Sequence, residues 1–400
     1  MNLPRIMYVC PCWPHDKSHG GQLRALQIGR ALQQVGCPTL VVAGAHEVDQ
    51  AVKEKTSAEF DLAREMDVLT TPVRGLSAHL RATLDQNFTN IHGLVVSREN
   101  EAWLIEAQKE FDLVWFFKLR AANFFRNARW RRSVVDIDDL PSSMERSVLR
   151  QGGSLGVRLK TEYRMAKLHR HENYLGRRFD VLAVCSEADR TALGGQACIH
   201  VIPNGFALRR ETLPRNPIGP PRIGFMGLYS YQPNLEGVRW FIQRCWPQIK
   251  EKIPGVRLRL VGQDTNGPLA PKDPSVDGLG WVEDPEEEVA SWSLTIVPIG
   301  IGAGTRVKIA DAFSRKCPLV STSFGALGYD VRDGRELLLA DNPRAFAAAC
   351  ISLILDPVAA TAMAERAYNA FLEKWTWDAI APRIWAAAED CLRRNFNRSY

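Results

Sequence analysis

The segment Ile299-Gly-Ile-Gly-Ala-Gly-Thr-Arg-Val-Lys-Ile-Ala-Asp-Ala-Phe313 holds the densest set of residues able to do chemistry in this chain. Gly300, Gly302 and Gly304 let backbone come close to a ligand. The helix expected to start beyond them offers free N–H groups and partial positive charge, a seat for a diphosphate. Arg306 and Lys308 add charged donors, and at two residues apart they cannot both face the same way on a helix. Arg306, nearer the helix start, is the first expected phosphate ligand. Gly20-Gly21 with Arg24 repeats the arrangement near the N-terminus. Asp136-Ile-Asp138-Asp139 ends an apolar stretch, where carboxylates can face a ligand cleft. Asp-x-Asp at a strand end could also hold a divalent metal with a nucleotide diphosphate, whereas Asp139 before Leu140-Pro141 also suits a turn.

The elements that must carry these residues read as alternating strands and helices. Arg5–Cys10 is a short buried strand, Leu23 to Leu32 recur at helical spacing up to Gly36, and Pro38–Ala43 is the next strand, giving a βαβ unit. Strands are also expected at Leu113–Phe117, Ser133–Ile137 and Val181–Cys185. Five prolines at 203, 214, 217, 220 and 221 mark a boundary. The pattern restarts with a strand at Arg222–Gly227 and a helix over Asn234–Lys252. Strands at Val256–Val261, Leu294–Pro298 and Pro318–Thr322 follow, with a helix at Thr305–Arg315 before the last of them. A second full βα domain argues against a single-domain, metal-dependent arrangement built on Asp136 and Asp138.

With 400 residues, 46% of them hydrophobic and 24% charged, the chain suits two soluble α/β domains. The expected division is 1–205, 206–375 and a C-terminal helical segment 376–400 crossing back to the first domain. The nine cysteines are scattered and odd in number, which points to a reducing compartment rather than a disulfide framework. Cys10-x-Cys12 lacks a second pair and makes a poor zinc site. No secretory signal pattern and no apolar run near ~20 residues is seen, so a cytoplasmic protein is expected, soluble or held at the inner membrane face. Leu113–Arg178 contains fifteen Lys/Arg against six Asp/Glu. That excess suits a phosphate-bearing acceptor or an anionic membrane surface, or is simply a solvated helical face. Without a recognisable binding module, nucleic acid is not expected as a partner.

The C-terminal half resembles family 4 (group 1) of the glycosyltransferases, which have the GT-B fold: two Rossmann-like, doubly wound α/β domains facing across a cleft. The likeness rests on Gly227-Leu-Tyr-Ser-Tyr-Gln-Pro-Asn234, Leu-Val-Gly262, Gly302 to Phe313, Pro318-Leu-Val-Ser-Thr-Ser-Phe-Gly325 and Asp333-Gly-Arg-Glu-Leu-Leu-Leu-Ala340. Val-Ile-Pro-Asn-Gly205 looks like the turn before the family's second domain. The resemblance implies transfer of a sugar from a nucleoside diphosphate sugar to a glycan or lipid-linked acceptor, with retention of configuration and no metal cofactor. It puts Gly20 and Gly21 against the diphosphate or acceptor, with Arg24 nearby. Gly227, Ser230 and Gly262 fall in the donor pocket, Trp281 and Val282 beside the base, and Gly302, Ala303, Gly304 and Thr305 on the phosphates or sugar. Asp136, Asp138 and Asp311 are the expected catalytic carboxylates. Two glutamates seven residues apart are usual in the family, and here Ala303 and Asp311 stand in their places. Asp311 can accept from a ribose; Ala303 cannot contact a sugar hydroxyl. A sugar-nucleotide epimerase of the same architecture and a silent sugar-nucleotide-binding protein are the alternatives.

Overall fold

The computed structural model describes residues 3–16, 20–44, 48–70, 94–125, 129–150, 152, 154–194, 198–208, 213–215, 219–302 and 304–394. The chain forms two units, one of Met1–Pro203 with Ile380–Tyr400, the other of Asn204–Ala379.

The first unit is built on seven parallel strands: β1 (Arg5–Cys10), β2 (Cys37–Ala43), β3 (Asp61–Met66), β6 (Leu113–Phe117), β7 (Ser133–Asp138), β8 (Val181–Val184) and β9 (Cys198–Val201). Their order is β3-β2-β1-β6-β7-β8-β9, so the chain winds outward both ways from between β1 and β6. A small antiparallel pair, β4 (Val68–Thr70) and β5 (Leu94–Val96), lies outside this sheet. Central strands such as Leu-Val-Trp-Phe-Phe117 are buried throughout, as apolar runs covered on both faces must be. The last helix, Trp377–Arg393, belongs here from Ile380 onward: Trp385 Nε1 donates to Ala31 O at 2.8 Å, and His200 Nε2 lies 2.8 Å from Asp390 Oδ2.

The second unit repeats the plan with six parallel strands: β10 (Arg222–Met226), β11 (Arg257–Val261), β12 (Val276–Gly280), β13 (Leu294–Val297), β14 (Leu319–Ser321) and β15 (Leu338–Leu339), in the order β12-β11-β10-β13-β14-β15. Both orders are doubly wound, and in such sheets ligands sit beyond the carboxyl ends of the strands where the winding reverses. In this unit that point lies between β10 and β13.

The helix expected over Asn234–Lys252 is three pieces: Gln232–Trp240, a π turn at Phe241–Cys245, and Trp246–Lys252. Pro247 has no N–H for the regular ladder, and the chain widens one turn to pass it. Among the described residues, no single helix is long and apolar enough to cross a membrane.

Candidate functional site

In the second unit, the ends of β10 and β11 meet as bare backbone. Gly227 N–H donates to Val261 O at 2.8 Å, and Gly262 N–H to Gly280 O at 2.8 Å. Gly262 has φ +134, and a Cβ there would lie 2.3 Å from Gly227 O. The two strand ends therefore approach as only glycine allows.

Lys308 lies against this point. It is the second residue of the helix Val307–Ser314, which follows β13 after the glycine-bearing loop 298–306. A Cβ on Gly227 would come within 2.7 Å of its Nζ and 2.8 Å of Asn234 Nδ2. The ammonium also stands 5.4 Å from the centre of the Phe225 ring. Lys308 makes no hydrogen bond or ion pair among the described residues. Burial pushes the ammonium down to about 8; Asp311 pulls it up and Arg306 pushes the same way as burial. A half-buried cation without an ion pair among the described residues, at the start of a helix where the winding reverses, is what a diphosphate would neutralise.

Arg306, expected as the first phosphate ligand, does something else. It is the N-cap of the helix, with φ −87 and ψ 102, so its side chain leaves before the helical phase begins. Its guanidinium bonds back to Gly304 O and lies 4.8 Å over the Phe324 ring. Gly302 has φ +133, and a Cβ on it would sit 3.0 Å from Arg306 Nη2 and 3.7 Å from Tyr231 Oη. Arg306 thus braces the glycine loop from beneath. Thr305 is buried and accepts from Asn204 Nδ2 at 2.9 Å. Ala303 lies outside the described residues.

Asp311, expected to be catalytic, is tied down. It is 8% exposed and accepts from Arg315 Nε at 2.9 Å, and Arg315 also pairs with Glu286 at 2.9 Å. It faces Lys308 one helical turn away, across a cavity of about 10 Å³ that Met226, Trp292 and Arg315 also line. That volume is close to one water, so Asp311 shapes the field around Lys308 rather than meeting a sugar there. Ser230 is exposed, Val282 half-buried, and Trp281 64% exposed just past β12. β12 is two strands from β10, on the order of 10 Å, a nucleoside-sized span.

In the first unit, two expected site residues prove structural. Arg24 is 2% exposed and Asp136 0%. Arg24 donates through Nε and Nη2 to both Asp136 oxygens, at 3.1 and 3.0 Å, and to Pro203 O and Ile202 O at 3.0 and 2.9 Å. Arg24 therefore cannot reach a phosphate, nor Asp136 a substrate. Burial pushes the Asp136 carboxyl up, against the pull of Arg24, while Arg24 is held above its ordinary value by Asp136 and Asp138 against burial.

Asp138, itself buried, links this network to the half-buried Lys118. Lys118 Nζ lies 3.2 Å from Asp138 Oδ2, and Arg24 Nε 3.6 Å from Asp138 Oδ1. A Cβ on Gly21 would already lie 3.1 Å from Lys118 Nζ. Asp138 and Lys118 have φ +63 and +64, a conformation that costs a non-glycine residue on the order of 1–3 kcal/mol and gathers at functional sites. Lys118 was not expected from the sequence; its one signal is its place just past the apolar run of β6. Gly20, with φ +85, caps the neighbouring helix Gly21–Gln33 and is exposed. Asp138, Asp139 and Cys185 bring three potential metal ligands within 4.8 Å, but Asp138 already answers two cations and burial pushes the Cys185 thiol up, so the cluster fits a metal poorly.

Residues 220–356 match the family of group 1 glycosyl transferases. An uncharacterized 44.6 kDa protein in the cps region of Klebsiella pneumoniae is 20% identical over 386 residues, 92% of this chain and 95% of that one. Among solved structures, the Anabaena protein HepE in complex with UDP-glucose aligns with TM-score 0.62 at 16% identity, covering 96% of this chain and 99% of its own. Sucrose-phosphate synthase from Thermosynechococcus elongatus gives TM-score 0.61 at 14%, covering 96% and 98%. The lipopolysaccharide outer core galactosyltransferase WaaB gives 0.58 at 13%, with the same coverage. These likenesses show the fold, two Rossmann-like domains of the GT-B class.

Proposed function

We propose that this chain, whose second unit carries a group 1 glycosyl transferase domain, moves a sugar from a nucleoside diphosphate sugar to a glycan or lipid-linked acceptor. The observation that carries this is Lys308, a half-buried cation with no ion pair among the described residues, set against Gly227 at the start of a helix. The diphosphate would lie over Gly227 and the first turn of Val307–Ser314, with Lys308 neutralising the charge that grows as the sugar–phosphate bond breaks. No metal ion is needed in this scheme. UDP is the first nucleotide to try, because HepE is described with UDP-glucose. A capsule-region relative suggests polysaccharide assembly as the setting, at the cytoplasmic face of the membrane. With alanine at 303, retention of configuration would have to come from positioning rather than from a carboxylate there.

Incubation of the full chain with a panel of nucleotide sugars, with and without chelator, tests the proposal. Slow release of the free nucleoside diphosphate is expected, undiminished by chelator. Recovery of an isomerised sugar still bound to nucleotide would indicate an epimerase. Tight binding with no release, even in the presence of acceptor glycans, would indicate a silent binding protein.

A further inference from the structure

On the edge strand β9 of the first unit, three side chains of metal-binding type converge. Cys198 and His200 alternate along β9, so they project from the same face of the strand. Asp390, near the end of the helix Trp377–Arg393, meets them there. Cys198 Sγ lies 3.3 Å from His200 Nε2 and 3.4 Å from Asp390 Oδ2, and Nε2 lies 2.8 Å from the same carboxylate oxygen. All three residues are half-buried, and 18% of the His200 side chain and 41% of the Asp390 side chain stay open to solvent.

The three atoms form a triangle, not a relay. A thiol nucleophile worked by a histidine needs one ring nitrogen on the sulfur and the other on the carboxylate. Here Nε2 faces both. A sulfur, an imidazole nitrogen and a carboxylate oxygen turned on one another are instead the ligands of a borderline cation such as zinc. Zinc holds sulfur at about 2.3 Å and nitrogen or oxygen at about 2.0–2.2 Å, so tetrahedral ligands stand roughly 3.3–3.6 Å apart. The two sulfur distances already match. The His200–Asp390 pair must open by about half an ångström, as its hydrogen bond gives way to two metal bonds. Magnesium and calcium, which take oxygen ligands, do not suit this set. Burial pushes the Cys198 thiol above its ordinary value and Asp390 adds to the push, a penalty that a bound cation removes. Arg394 also reaches the thiol, but it is exposed, and a long side chain in solvent can swing away. Arg393 is engaged with Glu389 at 2.6 Å.

We propose that Cys198, His200 and Asp390 bind one zinc ion, with water in the fourth position, and that the ion clasps the last helix to β9. Among the described residues no fourth histidine, cysteine or carboxylate joins the group. The clasp ties positions 190 residues apart in sequence. An edge strand and a chain end are the parts of a fold that open first. The work of the ion is stability rather than transfer, so nucleotide release stays insensitive to chelator at temperatures where the metal-free protein is folded.

The test uses the full chain without a polyhistidine tag, stripped with chelator, dialysed and kept reduced. Wild type, Cys198→Ser, Asp390→Asn and Cys37→Ser, an exposed cysteine outside the cluster, are titrated with zinc by calorimetry and with cobalt by absorption. Wild type and Cys37→Ser should take up one zinc per chain and melt a few degrees higher with it. Their cobalt complexes should show the intense near-ultraviolet band of a thiolate-bound ion. Cys198→Ser should abolish that band and lose at least tenfold in zinc affinity. Asp390→Asn should lose as much affinity yet regain the band at saturating cobalt, because the thiolate is still there. Circular dichroism of the metal-free variants should match wild type. The cobalt band of wild type and its return in Asp390→Asn keep the test decisive should Cys198→Ser fold poorly. A wild type that takes up no zinc, or whose cobalt complex lacks the thiolate band, overturns the proposal. So does zinc uptake unchanged in Cys198→Ser and Asp390→Asn, which would put the ion elsewhere.

Discussion

Lys308 occupies the space that a side chain on Gly227 would need: a Cβ built there falls 2.7 Å from Nζ. Lys308 can swing aside, so Gly227→Ala should fold normally yet displace the ammonium from the strand end. Nucleoside diphosphate affinity should fall at least tenfold, about 1.4 kcal/mol, with the melting temperature nearly unchanged. Calorimetry and a thermal melt check both halves. Undiminished binding would mean that the phosphates sit away from Gly227.

Titration of Lys308 gives a pH signature. Its folded value is pushed down to about 8, below the ordinary lysine value. Between those two values the unfolded chain holds more protons than the folded one, so Lys308 makes the free protein more stable as pH rises through that window. A bound diphosphate needs the charged form and pulls the value back up. Affinity should therefore fall about fivefold from pH 8 to pH 9, with proton uptake on binding visible by calorimetry in buffers of different ionisation heat. In Lys308→Met both effects should vanish. A wild-type affinity flat across this range would remove Lys308 from the phosphate site.

The Arg24–Asp136 pair predicts loss of fold rather than loss of chemistry. Breaking a buried pair strands its other charge, at about 3–5 kcal/mol. Here Arg24 also serves the carbonyls of Ile202 and Pro203, so Arg24→Met strips three acceptors at once. Both Arg24→Met and Asp136→Asn should show a large drop in urea midpoint. A variant as stable as wild type but inactive would return Arg24 or Asp136 to the site.

Much of this architecture is legible in the chain itself. Buried central strands such as Arg5–Cys10 and Leu113–Phe117 are apolar runs, and the glycine loop before Val307–Ser314 announces a close approach. Two of the edge strands are not legible. Asp-Leu-Ala-Arg-Glu-Met66 is mostly exposed and polar, and Val-Asp-Gly-Leu-Gly280 is partly exposed and glycine-rich, so neither shows strand alternation. Which cation serves the site is also hidden. Lys118 matters because β6 lies beside β7, a fact of strand order. Arg24 has the same residue type and helix position as a phosphate ligand, and only the distant carbonyls of Ile202 and Pro203 disqualify it.

Arg306 and Lys308 offer the sharpest comparison, because charge and sequence position alone favour Arg306 whereas the packing against Gly227 favours Lys308. Arg306 sits at the N-cap and folds under the loop onto Gly304 O and the Phe324 ring; Lys308 sits one step into the helix beside Gly227 with no ion pair among the described residues. Lys308→Ala should cost the larger share of diphosphate affinity, about 1.5–3 kcal/mol, the range for hydrogen bonds to charged groups. It should leave the free protein as stable as before or slightly more so, because it removes a desolvated charge. Arg306→Ala should do the reverse. Losing the brace should lower the melting temperature by a few degrees, about 1 kcal/mol for a protein of this size, and weaken the diphosphate less than Lys308→Ala does. Thermal melts and UDP calorimetry on the two single variants settle the assignment. If Arg306→Ala loses more affinity and no stability, the guanidinium must leave Gly304 to take the phosphate, and Lys308 becomes the support.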